Sequence, residues 1–229
     1  VYKFTNFYVC ITQMKLVYFN GRGFAETSRL ILALKNIDYE DYRYPIEVID
    51  WKTHNIVKKE FDADKQNGRL EGSLNKLPYL LVNGYTIPQS KAIERYLAEK
   101  YGMMGSGAIE RAKIDSICEC VRDFKDLYQS VRRLGEEEKE EGMNKWFSET
   151  LPEKMCLLEN IVGNEKHCVG NADSLADIVI YSFITQFFDA KEKAMASLDS
   201  CPKLHKIVVN IASNSNIKKW LSKRPDTPF

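Results

Sequence analysis

The chain has 229 residues, 44% hydrophobic and 28% charged, enough to bury a sizeable core in one or two domains. Thirty-three basic against thirty-two acidic residues leave a formal net charge of +1; this excludes the basic footprint of a nucleic-acid binder, and no apolar run reaches the length of a membrane span. The six cysteines, Cys10, Cys118, Cys120, Cys156, Cys168 and Cys201, form neither a CxxC nor a paired metal spacing, a pattern that reads as free thiols in a reducing, cytoplasmic compartment.

Residues 1–13, VYKFTNFYVCITQ, lack a basic n-region and a cleavage pattern. With Met14 as a natural start, they are set aside as a leader or flexible arm. Lys15 to Glu26, KLVYFNGRGFAE, then gives an apolar, aromatic strand, a break at Asn20 to Gly23, and a helix period through Arg29, Leu30, Leu32, Ala33 and Leu34. Apolar residues on both faces of the strand predict a central position covered on two sides. Such a strand, loop and helix place Tyr18 at the sheet edge where ligands of open α/β sheets bind. Tyr18 is the residue there whose hydroxyl can donate into the crevice, although a tyrosine at a strand end also serves as a packed rim residue. Gly21 and Gly23 begin a GxGxx pattern that ends in Glu26 in place of a third glycine, so no dinucleotide fingerprint is present.

Tyr39 to Tyr44 predicts a short strand ended by Pro45. The interval from Ile46 to Leu74 is polar and reads as an irregular link, with Trp51 isolated among charges as a hydrophobic cap or a ligand wall. In NKLPYLLVNGYTIPQSKAIERYLAEKYG, two strands, Tyr79 to Val82 and Tyr85 to Pro88, flank the hairpin signal Asn83-Gly84. Ser90 is placed to cap a helix bearing Ile93, Tyr96, Leu97 and Tyr101. A hairpin feeding a helix offers free N–H groups, so Gln89 and Ser90 form either a carboxylate pocket or a plain cap. The base rate for Leu77-Pro78 is trans; a cis bond would turn the Leu77 backbone toward an extended peptide.

From Met103 the texture is helical. Ile114, Ile117, Val121, Phe124, Tyr128 and Val131 predict one long amphipathic helix, leaving Glu119, Asp123 and Lys125 to face a crevice or a partner. Cys118 and Cys120, two apart on that helix, point to different sides. EEEKEE at Glu136 to Glu141 reads as a solvated turn. A further pattern runs from Met143 to Val162 and is divided by Pro152. Ser174 and Asp177 make a capping-box variant ahead of IVIYSFITQFF, a central buried helix, and two shorter helices follow around Leu204 to Ile211 and Ile217 to Leu221. His54, His167 and His205 lie apart, with no ligand or triad motif, and read as structural or surface residues.

Taken together, YFNGRGFAE with Tyr18, Asp50-Trp51, KLP at Lys76 to Pro78, QS at Gln89-Ser90 with AIERYL, and the carboxyl-terminal WLSKRP resemble the cytosolic glutathione transferases. The likeness is strongest to the sigma branch, which includes glutathione-dependent prostaglandin D synthase. The resemblance spans nearly everything after Met14. It implies an α/β thioredoxin-like domain over residues 14–102, an all-helical domain over 103–229, and a cis bond at Pro78. Tyr18 falls on the family's catalytic tyrosine. Trp51, Lys76, the Leu77 backbone, Pro78, Gln89 and Ser90 fall on glutathione contacts, and Asp123 on an aspartate reaching across a homodimer. Ser174 and Asp177 fall on a folding motif.

Three departures stand out. Phe24 replaces a second arginine and makes the access side more apolar. The link from Trp51 to Lys76 is long, which leaves an extra glutathione-binding lysine among Lys58, Lys59 and Lys65 unassigned. The divalent-ion cluster of the vertebrate synthase is here Glu119, Arg122 and Asp123, and the arginine argues against metal. The resemblance thus implies glutathione as co-substrate without a metal, and small hydrophobic electrophiles as second substrates in a pocket lined by Phe24, Tyr128 and carboxyl-terminal residues. A glutathione-dependent isomerase and a non-catalytic binding or structural protein of the same fold are the alternatives.

Overall fold

The computed structural model describes residues 14–50, 55–163 and 166–227. The described residues fall into two compact units distinguished by their internal packing: one takes those from Met14 to Asn20 and from Asp38 to Gln89, the other those from Gly21 to Ile37 and from Ser90 onward.

The first unit is built on a four-stranded sheet of order β2-β1-β5-β6, with β1 at Met14–Phe19, β2 at Glu40–Tyr44, β5 at Tyr79–Val82 and β6 at Tyr85–Pro88. β1 runs parallel to β2 and antiparallel to β5, so the predicted central strand is central. Its Leu16, Val17 and Tyr18 are all buried. The β5-β6 hairpin turns at Asn83 (φ 51°) and Gly84 (φ 81°); positive φ at both central residues is the geometry an Asn-Gly turn adopts most readily.

The link beyond β2 departs from expectation. Instead of an irregular run it forms an antiparallel pair, β3 (Glu47–Asp50) with β4 (Asn55–Val57), then helix α2 (Lys59–Gln66) and a 3₁₀ turn at Glu71–Ser73. α2 overlaps the segment read as loop-like. It buries a single residue, Phe61, so it carries no apolar period for the sequence to display. Phe61 packs edge-on to Phe19 and Tyr44 at centroid distances of 5.1 and 5.9 Å and joins Val17, Tyr44 and Leu70 in one apolar cluster. The Tyr44 hydroxyl donates to Asp64 Oδ2 at 2.7 Å, and the Arg69 guanidinium donates to Oδ1. These bonds hold the Asp64 carboxyl below its ordinary pKa, the tyrosine bond contributing most.

The second unit is helical: α1 (Glu26–Leu34), α3 (Ser90–Lys100), α4 (Ala108–Arg132), α5 (Glu136–Lys145), α6 (Leu151–Ile161), α7 (Leu175–Ser182), α8 (Lys191–Ala196), α9 (Pro202–Ser213) and α10 (Ser215–Lys223). The stripe on α4 is buried from Ile114 to Tyr128, with Cys118 inside and Cys120 less so. EEEKEE is the first turn and more of α5, not a solvated turn. Three glutamates in the first turn complement the positive helix end, and with no buried residue this helix is legible only through its ends. α8 lay outside expectation for the same reason, since it buries only Ala194. Pro152 falls at the start of α6, where its missing N–H costs little, after a π turn at Trp146–Thr150. α7 is buried throughout and continues into a second π turn, Phe183–Phe187.

Two polar devices order this unit. Asp177 completes the capping box of α7: its Oδ2 accepts from the Ser174 N–H (2.8 Å) and Oγ (2.5 Å), while Oδ1 accepts from the Cys168 N–H at 2.7 Å. Burial outweighs these bonds and raises the carboxyl above its ordinary pKa. At the other device, buried Glu26 accepts from Trp220 Nε1 (3.0 Å) and from Arg224 (2.6 Å), and it lies 3.6 Å from the wholly buried Arg29. Arg29 in turn donates to the Gly21 carbonyl at 2.6 Å. The WLSKRP motif of α10 is thereby tied to the first turn of α1.

Candidate functional site

Register brings three of the sequence-predicted residues into one row. Val17 pairs with Tyr79, and Tyr79 with Pro88. One step further along the same antiparallel strands stand Tyr18, Pro78 and Gln89, at the carboxyl end of β1. That is the end at which ligands of open α/β sheets bind. Tyr18 is 7% exposed, with its ring 5.5 Å from that of Phe19. Leu77-Pro78 is cis, as the resemblance implies and against the base rate. Among the described residues, the Leu77 backbone N–H and C=O form no hydrogen bond with another backbone group.

The approaches to this row are conformationally unusual. Leu74 (φ 58°) and Asn75 (φ 54°) are consecutive left-handed residues just ahead of exposed Lys76, and Gln89 has φ 74°. Each is a backbone state that a side chain disfavours by about 1–3 kcal/mol and that clusters where geometry serves a ligand. Asn is a residue type that tolerates this region, whereas nothing in the identity of Leu74 or Gln89 signals it. Ser90 is the first residue of α3. The cap position therefore falls to Gln89, and Ser90 lies within the first turn, where backbone N–H groups have no intrahelical acceptor.

In the helical unit, Asp123 is 66% exposed on α4 and pairs with Arg122 at 3.0 Å. Arg122 also engages Glu119 (2.6 Å) and Asp126 (3.5 Å), and Arg95 binds both Glu119 and Asp115. Hydrogen bonds from Arg95 and then Arg122 hold the Glu119 carboxyl below its usual pKa. The arginine noted between the acids in sequence thus spends its donors on them.

Lys125 is half-buried: its ammonium lies 5.1 Å from the Phe187 ring centroid and 5.9 Å from that of Phe183. Desolvation, with repulsion from Lys91, lowers its pKa to about 8. Tyr128, expected to line a substrate pocket, is 4% exposed and packed among Trp146, Phe147, Phe187 and Phe188. Helical spacing placed both residues on α4 without saying which neighbours fill the space around them. Phe24 is 66% exposed. His167 is buried with Nδ1 3.1 Å from Asp173, and His205 is exposed. Trp51 and His54 lie outside the described residues.

Comparison with known proteins identifies the family. The family model for the glutathione S-transferase N-terminal domain matches residues 14–99, and that for the C-terminal domain matches 122–224. The chain is 31% identical to hematopoietic prostaglandin D synthase of Gallus gallus, over 93% of this chain and 97% of that protein. Among solved structures, it is similar to monomeric Na-GST-3, a glutathione S-transferase of Necator americanus (TM-score 0.79, 28% identity, 95% of this chain and 100% of that one). It is also similar to the sigma class transferase of Fasciola hepatica (TM-score 0.73, 26% identity, 95% and 99%). A mixed sheet of thioredoxin type followed by a helical domain, with both family models matched and a relative 31% identical over nearly the whole chain, places the chain in the glutathione S-transferase family, on its sigma-like side.

Proposed function

We propose that this glutathione transferase joins the sulfur of glutathione, as its thiolate, to small hydrophobic electrophiles, with Tyr18 as the catalytic residue. The observation that carries the reading is the row of Tyr18, Pro78 and Gln89 at one end of the sheet. In this reading the Leu77 backbone pairs with the tripeptide as a neighbouring strand does, and Lys76, Gln89, Ser90 and Trp51 hold its carboxylates and backbone. Asp123 meets the glutamyl amine across a cytoplasmic homodimer; its exposure on α4 supports that placement. The domain boundary is proposed at Gly102, supported by family matches that end at 99 and resume at 122.

The chemistry rests on ionising a thiol. A free thiol of pKa near 8.5 is only a few per cent thiolate at neutral pH. Lowering that value by ~2 units takes about 2.7 kcal/mol of preferential stabilisation of the anion. One hydrogen bond to a charged acceptor supplies about 1.5–3 kcal/mol, so a single phenolic O–H is large enough for the task. It needs neither a general base nor a metal. The remaining contacts act by proximity.

Tyr18→Phe is expected to lower kcat/KM with chlorodinitrobenzene by roughly 10- to 150-fold while retention on immobilised glutathione persists. Ultraviolet titration should find the bound thiol's pKa returning toward that of free thiol. Turnover unchanged in the variant removes the mechanism. A second reading, a glutathione-dependent isomerase, is favoured by the 31% identity to prostaglandin D synthase. Turnover of a prostaglandin endoperoxide with little conjugation of chlorodinitrobenzene selects it.

A further inference from the structure

Within the helical unit, two thiols face one another across a helix pair. Cys156 is exposed on α6; Cys201 is wholly buried and immediately precedes Pro202, the first residue of α9. Their Sγ atoms are 3.8 Å apart, although the residues are 45 positions apart in sequence. The approach is held by a second contact between the same elements. Glu159, one turn beyond Cys156 on α6, accepts from the backbone N–H groups of Lys203 and Leu204 at 3.0 Å each. The Lys203 ammonium meanwhile donates to the Val162 carbonyl at 3.3 Å. The amino-terminal end of α9 is thereby pinned to α6, and the two sulfurs are held 3.8 Å apart, against the roughly 2.05 Å of a disulfide bond.

We propose that Cys156 and Cys201 form a reversible oxidative modification site, in which a hydroperoxide converts the exposed Cys156 first and Cys201 resolves it as an intramolecular disulfide. In the first step the Cys156 thiolate attacks a peroxide oxygen: an S–O bond forms, the O–O bond breaks, and the leaving hydroxide takes up a proton to depart as water. In the second, Cys201 Sγ attacks the Cys156 sulfur: the S–S bond forms, the S–O bond breaks, and the hydroxyl leaves with the Cys201 proton as a second water. The two thiols give up two electrons, and one hydrogen peroxide is reduced to two waters. The order follows from exposure. Cys156 is the sulfur a solute can reach, whereas burial and the neighbouring thiol push the Cys201 pKa up to about 12 and keep it unreactive until the sulfenic acid is beside it.

The test treats the full chain with hydrogen peroxide, blocks remaining thiols with N-ethylmaleimide, and maps peptides without reduction. The expected product is a peptide pair joined through Cys156 and Cys201 that dithiothreitol separates, together with a rise in Tm of the oxidised chain, since closing so long a loop restricts the unfolded state. In Cys201→Ser the cross-link is lost, and Cys156 is trapped by dimedone as its sulfenic acid and proceeds to sulfinic acid. In Cys156→Ser the cross-link is lost and Cys201 stays reduced at the same dose. The proposal is overturned if wild-type Cys156 remains a thiol, or advances to sulfinic acid as readily as it does in Cys201→Ser. A disulfide joining either cysteine to a different partner overturns it too.

Discussion

Two arginine–carboxylate clusters in the helical unit use the same chemical groups to opposite ends. Around Glu26, a carboxylate 3% exposed is held by Arg29, Arg224 and the Trp220 indole, with Arg29 itself wholly buried. Around Arg122, the guanidinium is 44% exposed and its partners Asp123 and Asp126 are 66% and 71% exposed. In the first, removing one charge leaves the buried Glu26 or Arg29 short of a counter-charge where water has little access. In the second, solvent takes over whatever a lost partner leaves behind. Burial, more than the number of ion pairs, separates a residue that holds the fold from one that is available to a ligand or a second subunit.

Breaking the buried cluster is expected to have the largest effect. Glu26→Gln keeps the shape but removes the buried negative charge that Arg29 and Arg224 share, and should cost about 3–5 kcal/mol, a Tm fall on the order of 10 °C. Chemical denaturation yielding under ~1 kcal/mol would show that solvent enters this cluster and that the contrast with Arg122 is false. Next comes Asp177→Ala, which leaves the Ser174 and Cys168 donors unmet in the interior; about 2–3 kcal/mol is expected, with Asp177→Asn recovering part of it.

Lys125 lies between the two extremes and sharpens the comparison through pH. Its surroundings are Lys91, Glu94 and the Cys118 thiol, whose own pKa burial raises. Below pH about 8 the ammonium is charged whether the chain is folded or not, and the folded chain bears the full cost of desolvating it. Between about 8 and the ordinary 10.5 the folded chain has released the proton and the unfolded chain still holds it. Stability from this group therefore climbs as pH rises through that window and is level above it. Lys125→Met should subtract that climb from the wild-type profile in a series of denaturation curves; a wild-type-minus-variant difference that is flat from pH 8 to 10 contradicts the assignment. The smallest effect on stability is expected at Asp123→Asn, within about 0.5 kcal/mol. There the readout that matters is weaker retention on immobilised glutathione, alongside gel filtration at twice the chain mass. Retention equal to wild type separates Asp123 from the glutathione site.

Local chemistry and short-range periodicity settled much of this protein from its residues alone. Asn83-Gly84 dictates its hairpin because both residues accept positive φ. The apolar stripe of α4 and the Ser174/Asp177 box act within a few residues of chain, and the residues of the candidate site, Tyr18, the KLP proline and Gln89-Ser90, stand in recognisable order. Elements that bury one residue or none, α2, α5 and α8, carry no such period and escape a reading by pattern. Tertiary structure decided the rest. It aligned Tyr18 with Pro78 and Gln89 through strand register, turned Tyr128 inward, and brought Cys156 to Cys201. It also closed Glu26 against Trp220 and Arg224 across 194 and 198 positions. Contacts of that span depend on which surfaces the packed elements bury together, and a side chain's identity does not encode which distant partner will share its shelter from water.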